Sequence, residues 1–370
     1  MALRILHVLG SLNMGGAESF VMNLYRHIDR TKTQFDFVVH SDEETEYTKE
    51  ILEMGGKIYV FPKPGLFSII PLIHKWREFF LEHREYCIIH SHIRSYASII
   101  LFIAKQSGRI TIAHSHSISN GKGFESIVKS ILQLPIRHQA DYLFACSDDA
   151  GRWLYGKNAI RKNNYYVIRN GIDIHQFEFN EIIRKEYREK LNLQDKYTYI
   201  NVANFRKVKN QSFLVLLIQR LIKKNENIHL LLVGEGAEKN ALENVTERLH
   251  LTQYISFLGG RNDVPALLQA ADCFLFPSLW EGFGISAIEA QAAGLTTICS
   301  DKVPEDVMVT PLCKRIPLDI GLWVEETPTA MKSREDYAQS IVNKGFDIVS
   351  VANWLEVFYI NIAQKSEGHN

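Results

Sequence analysis

Short β-branched runs alternate with longer amphipathic stretches along nearly all of the 370 residues, the pattern of βα units built around parallel sheets. In the first half this spacing predicts strands near Arg4–Leu9, Phe35–His40, Lys57–Phe61, Cys87–His90, Ile110–His114, Tyr142–Cys146 and Tyr166–Ile168. Helices fall between them. Two stand out by periodicity: Glu18–Ile28, directly after a glycine pair, and Phe124–His138. A break follows at Arg169-Asn170-Gly171, where Asn-Gly marks a turn, and the polar stretch Glu178–Lys196 reads as a connection holding one helix. A second βα series then starts, with strands near Tyr197–Ala203, Ile228–Val233, Ile255–Leu258, Cys273–Phe276, Thr296–Cys299 and Lys314–Ile316, and Ile348–Ile362 reads as a closing amphipathic helix.

The length exceeds what one ordinary domain needs, which agrees with two α/β domains. The boundaries that follow are 1–175, 176–345, and a closing helix 346–370 packing back on the first domain. Net charge is zero, from 42 basic and 42 acidic residues, so no nucleic-acid partner is expected. Residues 1–175 carry 21 Lys and Arg against 17 Asp and Glu, and the remainder 21 against 25, which turns the first half toward an anionic acceptor or membrane surface. The five cysteines lie singly in or beside apolar runs, with no zinc-like spacing, and read as reduced core residues. Met1 leads straight into a strand pattern instead of a signal peptide, and no apolar run approaches the roughly 20 residues that span a bilayer. The expected location is cytoplasmic, with at most peripheral contact at the inner face of the plasma membrane. For that contact the first half offers Lys122–Arg137, a segment mixing Lys122, Lys129 and Arg137 with Phe124, Ile127 and Ile131. A core-facing helix would show the same amphipathicity.

Three glycine-bearing turns carry candidate chemistry. The first strand runs into Gly10–Glu18, where Gly15 and Gly16 let a ligand approach the backbone at the positive end of a helix. Gly234-Glu235-Gly236 repeats the arrangement in the second half, without the full G-x-G-x-x-G of a nicotinamide site. The most informative turn is Glu281-Gly282-Phe283-Gly284-Ile285, between an apolar strand and a helix carrying Glu289. It sets two carboxylates around a nest of amides: the amides suit a diphosphate, and carboxylates accept hydrogen bonds from sugar and ribose hydroxyls.

The E-x7-E element, the GGAE turn, the Asn170-Gly171-Ile172-Asp173 turn and the closing helix together resemble glycosyltransferase family 4, over nearly the whole chain and in the family's order. The resemblance implies the GT-B fold, two Rossmann-like domains facing each other across a cleft. It implies that Glu281 lies near the donor sugar, that Glu289 binds the ribose, and that the amides of Phe283, Gly284 and Ile285 hold sugar and diphosphate. The family places an Arg and a Lys after the first strand of the second domain, in a pattern close to G-R-x-x-x-x-K-N. This chain reads Ala203-Asn204-Phe205-Arg206-Lys207-Val208-Lys209-Asn210, so Lys209 matches, Asn204 stands where the Arg is usual, and Arg206, two residues on, is its candidate replacement. A histidine facing the donor sugar is implied after the strand Ile110–Ala113; the register favours His114, with His116 as the alternative, while His90-Ser91-His92 is a candidate acceptor-side element. Asn170–Asp173 falls at the family's hinge, and Gly259 lies where a loop would pass the nucleobase.

The activity implied is that of a hexosyl- or related glycosyltransferase, moving sugar with retention from a nucleotide sugar, a UDP-sugar first, to a glycan or polyprenyl-linked acceptor in surface polysaccharide biosynthesis. No D-x-D sequence occurs, so no metal and no other cofactor is expected. Two other readings remain open: a nucleotide-sugar epimerase of the same fold, and a non-catalytic nucleotide-binding partner of a polysaccharide synthesis complex. Asn204 favours the latter.

Overall fold

The computed structural model describes residues 2–13, 15–63, 69–116, 130–330 and 333–367. Two compact units divide the chain, Met1–Gly171 with Ile348–Asn370 and Ile172–Asp347. The boundaries therefore fall a few residues from the expected 175/176 and 345/346: the first follows the Asn170-Gly171 turn itself, and the second precedes the first turn of the C-terminal helix.

The first unit holds seven parallel strands in the order β3-β2-β1-β4-β5-β6-β7. They are β1 Leu3–Val8, β2 Thr33–Val39, β3 Ile58–Val60, β4 Ile88–Ser91, β5 Ile110–Ser115, β6 Tyr142–Ala145 and β7 Tyr165–Val167. All seven residues of β2 are buried, as expected of a parallel strand with both faces covered. Helix α1 spans Gly16–His27 and buries Phe20, Val21, Leu24 and Tyr25. The C-terminal helix, Ile348–Glu367, joins the same core through Ile348, Ala352, Leu355, Tyr359 and Ile362. That spacing of four, three, four and three marks one helical face, so the periodicity of the sequence and the packing agree. Glu356 secures the helix by accepting from the Asp29 amide at 2.9 Å.

The predicted helix Phe124–His138 is corrected. Residues 130–133 are helical, but Leu134 and Pro135 interrupt, and a separate short helix covers Ile136–Gln139. Proline lacks the amide that would continue the ladder. Residues 117–129, and with them Lys122 and Lys129 of the basic segment, lie outside the described residues.

The second unit holds six parallel strands in the order β10-β9-β8-β11-β12-β13. These are β8 Tyr197–Val202, β9 Ile228–Val233, β10 Ile255–Gly259, β11 Cys273–Phe276, β12 Thr296–Ser300 and β13 Cys313–Ile316. Two apolar clusters cover the two faces of this sheet. Helix α2, Glu181–Lys190, starts at Asn180, whose side chain caps the amides of Ile182 and Ile183. From α2, Arg184 and Arg188 reach Asp272 at 2.5 and 3.2 Å, and the same carboxylate accepts from the Thr198 amide at 2.7 Å. Burial lowers the Arg188 guanidinium from its ordinary value. Replacing Asp272 by alanine would leave two enclosed guanidiniums without their counter-charge. The expected loss is about 3–5 kcal/mol of unfolding free energy, read as a lower urea midpoint of the second unit.

In both sheets the chain order reverses between the first and fourth strands of the unit, β1/β4 and β8/β11. Loops diverge at such a switch point and open a crevice at the carboxyl ends of the strands, where ligands of open α/β sheets bind.

Candidate functional site

At the second unit's switch point the loops after β8 and β11 are tied together. The Leu279 amide donates to the Val208 carbonyl at 2.8 Å, and Asn210, in the left-handed region at φ 55°, donates its side-chain amide to the Pro277 carbonyl at 3.1 Å. This brings Lys209 to Glu281: Nζ donates to Oε1 at 2.6 Å, and the ammonium lies 5.6 Å from the centroid of the Phe276 ring. Ser278 Oγ donates to the same Oε1 at 2.7 Å, and Ser300 Oγ holds the Ser278 carbonyl at 2.5 Å. Glu281 is buried, and its Oε2 accepts no hydrogen bond among the described residues. The carboxylate is thus fixed through one oxygen and open through the other.

The turn continues into helix α3, Ile285–Ala292. Gly284 has φ +95°, and a Cβ there would lie 3.1 Å from the Phe276 ring, so backbone and space both favour glycine. Phe283 is buried and its ring stacks on Phe346 at 5.3 Å, which assigns the side chain to the core. The amides of Phe283, Gly284 and Ile285 find no protein acceptor among the described residues, as the first amides of a helix do not. Glu289, on α3, is half-buried, and among the described residues it has no cationic partner; desolvation pushes its carboxyl up to about 7.

The remaining second-unit candidates separate. Asn204 and Arg206 are both exposed in the loop after β8. Gly234 and Gly236 are required by backbone packing, since a Cβ on either would meet the Ala203 or Phe205 carbonyl oxygen at 2.1 or 2.3 Å. Gly259 has φ +71° and lies against the Glu235 carboxylate, which accepts from the Gly260 amide at 3.3 Å.

At the first unit's switch point a cavity of about 910 Å³ is walled by Gly16, Glu18, Lys63, His92, Arg94 and His116, among others. Gly15 caps α1, and the Glu18 carboxylate folds back into the space a Cβ on Gly15 would fill. Desolvation raises the Glu18 carboxyl, and its own amide partly offsets this. His116 stands on the cavity wall, while His114, one pleat deeper in β5, is 1% exposed.

Behind that wall lies a cluster the sequence reading had only in pieces. H-x-H on β4 and on β5 put His90, His92, His114 and His116 on one sheet face, and the β1–β4 register sets His7 beside His90. His7 Nδ1 meets His92 Nε2 at 2.9 Å, and His92 Nδ1 meets His116 Nε2 at 2.8 Å. His90 Nε2 meets His114 Nδ1 at 3.2 Å, and His90 Nδ1 meets the Tyr359 hydroxyl at 2.5 Å. Burial lowers all five imidazoles, His7 and His116 to about 3, so the cluster is neutral. Two triads, His7/His90/His92 and His92/His114/His116, are compact enough to hold a metal ion. His92 is common to both and already engages His7 and His116 with its two ring nitrogens, which fits hydrogen-bonded imidazoles better than an open ligand set.

Ser278 and Ser300 also escaped the sequence reading. Ser278 had a local signal, three residues before Glu281, whereas Ser300, His7 and Tyr359 become neighbours only through strand order and helix packing.

Two parallel-sheet α/β units, each with a glycine-turn site at its switch point, define the class as a GT-B glycosyltransferase fold. The model for "Glycosyltransferase Family 4" matches residues 14–176, and that for "Glycosyl transferases group 1" residues 183–330. The chain is 31% identical over 358 residues to EpsF of Bacillus subtilis (strain 168), named as a glycosyltransferase, covering 93% of each chain. It therefore belongs to glycosyltransferase family 4 and is a transferase. It is also 26% identical over 302 residues to the UDP-Gal:alpha-D-GlcNAc-diphosphoundecaprenol alpha-1,3-galactosyltransferase of Escherichia coli, covering 76% of this chain and 77% of that one. Identity to the capsular polysaccharide biosynthesis glycosyltransferase CapH of Staphylococcus aureus is 25% over 376 residues, covering 97% and 99%. The fold is shared with Anabaena HepE, solved in complex with UDP and glucose, at a TM-score of 0.75 and 21% identity, covering 97% and 100%. Among the described residues no helix is long and apolar enough to cross a membrane.

Proposed function

We propose that the protein transfers a glycosyl group from a UDP-sugar to a hydroxyl of a lipid-linked glycan in surface polysaccharide biosynthesis, with retention at the anomeric carbon and without a metal ion. The observation that carries this reading is the Lys209–Glu281 pair beside the unengaged amides of Phe283, Gly284 and Ile285. The donor class is supported by the UDP bound in HepE and the UDP-galactose named for the E. coli relative, and the acceptor class by that relative and CapH.

In this reading the bond from the anomeric carbon to the diphosphate oxygen breaks first, leaving positive charge on the sugar and negative charge on the leaving UDP. Lys209 and the turn amides stabilise the diphosphate, doing with protein charge what a divalent ion would otherwise do. Glu281, anchored through Oε1, offers Oε2 to sugar hydroxyls. Glu289 accepts the ribose hydroxyls. The acceptor hydroxyl bonds to the anomeric carbon on the face the diphosphate leaves and gives its proton to a diphosphate oxygen. The cavity with Arg94, Lys63 and His116 takes the acceptor side, its two cations suiting a phosphate of the carrier lipid. Of the histidines, His116 meets the ligand and His114 stands behind it; a larger loss of transfer in His114→Ala than in His116→Ala would reverse that order.

Calorimetric titration of UDP in the presence of a chelator tests the donor site: binding is expected in the wild type, and Lys209→Ala should weaken it about tenfold or more. Metal-dependent binding would overturn the metal-free reading. The raised carboxyl of Glu289 adds a pH signature. Its ionised form accepts two ribose hydroxyls and its protonated form accepts fewer, so UDP affinity should fall as the pH drops below about 7, by up to about tenfold per unit. Glu289→Gln should flatten that dependence and lower the affinity at pH 8 by about tenfold.

A further inference from the structure

We propose that Tyr359, on the C-terminal helix, is a positioning residue that fixes through His90 the tautomer of His114, so that His114 carries its proton on Nε2. The Tyr359 hydroxyl is fully buried, and its one partner among the described residues is His90 Nδ1, at 2.5 Å. His90 Nε2 in turn has His114 Nδ1 at 3.2 Å. A neutral imidazole carries one N–H and one lone pair, so a single choice propagates down the chain.

If the phenol donates to His90 Nδ1, His90 must hold its proton on Nε2 and donate it to His114 Nδ1. His114 is then an Nε2–H donor. In the reverse direction His114 donates to His90 and His90 donates to the phenol oxygen. That arrangement strands the phenol hydrogen behind the helix and also leaves the His114 Nε2 lone pair unmet. Each direction leaves one donor and one acceptor unmet, the first the His114 Nε2–H and a phenol lone pair, the second the phenol O–H and the His114 Nε2 lone pair. Bond strength at the 2.5 Å contact decides: a phenol is a stronger donor than a neutral imidazole and an imidazole nitrogen a stronger acceptor than a phenol oxygen, so the first direction prevails. All three residues are in the protonation states this needs, since desolvation raises the Tyr359 phenol well above its ordinary value and lowers both imidazoles.

His114 Nε2 is enclosed and has no partner among the described residues. The relay therefore leaves a directed N–H for an oxygen that the described protein does not supply, one that a water bridging His114 to the ligand can bring. The relay also gives the C-terminal helix a role beyond covering the core, through Tyr359, 245 residues from His114 in sequence. The consequence for transfer rests on the glycosyltransferase reading above. The tautomer does not.

Heteronuclear NMR of the histidine-labelled full chain, without substrate, tests this directly. His114 and His90 are expected to show protonated-type Nε2 and lone-pair-type Nδ1 resonances. Tyr359→Phe, which removes only the hydroxyl, should release His90 and His114 into a mixture of tautomers, while His7 and His92 keep their signals. The same variant should lower kcat by about three- to tenfold with KM for the donor unchanged. A wild-type His114 protonated on Nδ1, or tautomers unmoved in a folded Tyr359→Phe, would overturn the proposal. Should Tyr359→Phe fail to fold, the wild-type spectrum still decides. A relay seen by NMR in a protein that transfers no sugar would count against the activity reading and leave the relay standing.

Discussion

Acidification from about pH 7.5 to about 5.5 is expected to destabilise the first unit by several kcal/mol and leave the second far less affected. His7, His90, His92 and His114 are buried, and desolvation holds each below its ordinary value of 6.5. A group whose folded pKa is depressed binds more protons unfolded than folded, so stability is lost as the pH falls through the unfolded value near 6.5 toward the folded one. Over those two pH units each such histidine contributes about 1.4 kcal/mol, which sets a ceiling of about 5–6 kcal/mol for four. His116 is left out because it is the one of the five that is only partly buried. The Arg94 guanidinium opposes protonation of His116 in addition to its burial. Such a loss is comparable to the whole stability of an ordinary domain. Hydrogen exchange should show β1, β4 and β5 losing protection together, with β8 to β12 keeping theirs. Uniform protection at about pH 5.5 would mean that the histidines accept protons without opening the unit.

The second large effect concerns Lys209 and Glu281. Glu281→Ala leaves the Lys209 ammonium without its anchor, and Lys209→Ala leaves a buried carboxylate held by Ser278 alone. Each is expected to lower transfer about 100-fold, the rate equivalent of about 2.7 kcal/mol. Because the two act as one unit, the double variant should be little worse than the worse single. Additive losses would separate the two roles, and near-normal turnover in both folded single variants would remove them from the site. Ser278→Ala, which removes only one donor to Oε1, should cost about tenfold.

Much of this architecture was legible because parallel strands buried on both faces write themselves as uninterrupted apolar runs. Ile228–Val233 and Cys273–Phe276 have the bounds the run itself sets, since a polar or glycine-bearing turn follows each. The C-terminal helix was legible from the spacing of Ile348, Leu355 and Ile362. Phe124–His138 was not, since periodicity continues through Pro135 while the backbone ladder cannot.

Around the site, Glu281 and Glu289 were visible because turn chemistry and residue type coincide locally, whereas Lys209 was visible only through its match to the family's pattern. That Lys209 meets Glu281 is a property of strand order, which puts β8 beside β11 and their loops in register. The same holds for the histidines. Each H-x-H pair is readable as one face of a strand, but that β1 lies beside β4, and that Tyr359 covers them, comes from packing alone. Gly234 and Gly236 carry a converse lesson. Both looked like phosphate glycines, and the structure gives each a sufficient reason in the backbone of Ala203 and Phe205.

The central claim is glycosyl transfer driven by protein charge. Its most direct test is mass spectrometry of a polyprenyl-diphosphate-linked sugar incubated with the protein, a panel of UDP-sugars and a metal chelator. One UDP-sugar should add one glycosyl residue to the lipid-linked acceptor and release an equal amount of UDP, with the new bond keeping the donor's anomeric configuration. Binding of UDP-sugars with no acceptor modified by any of them, or donor rearranged without an acceptor, would contradict it.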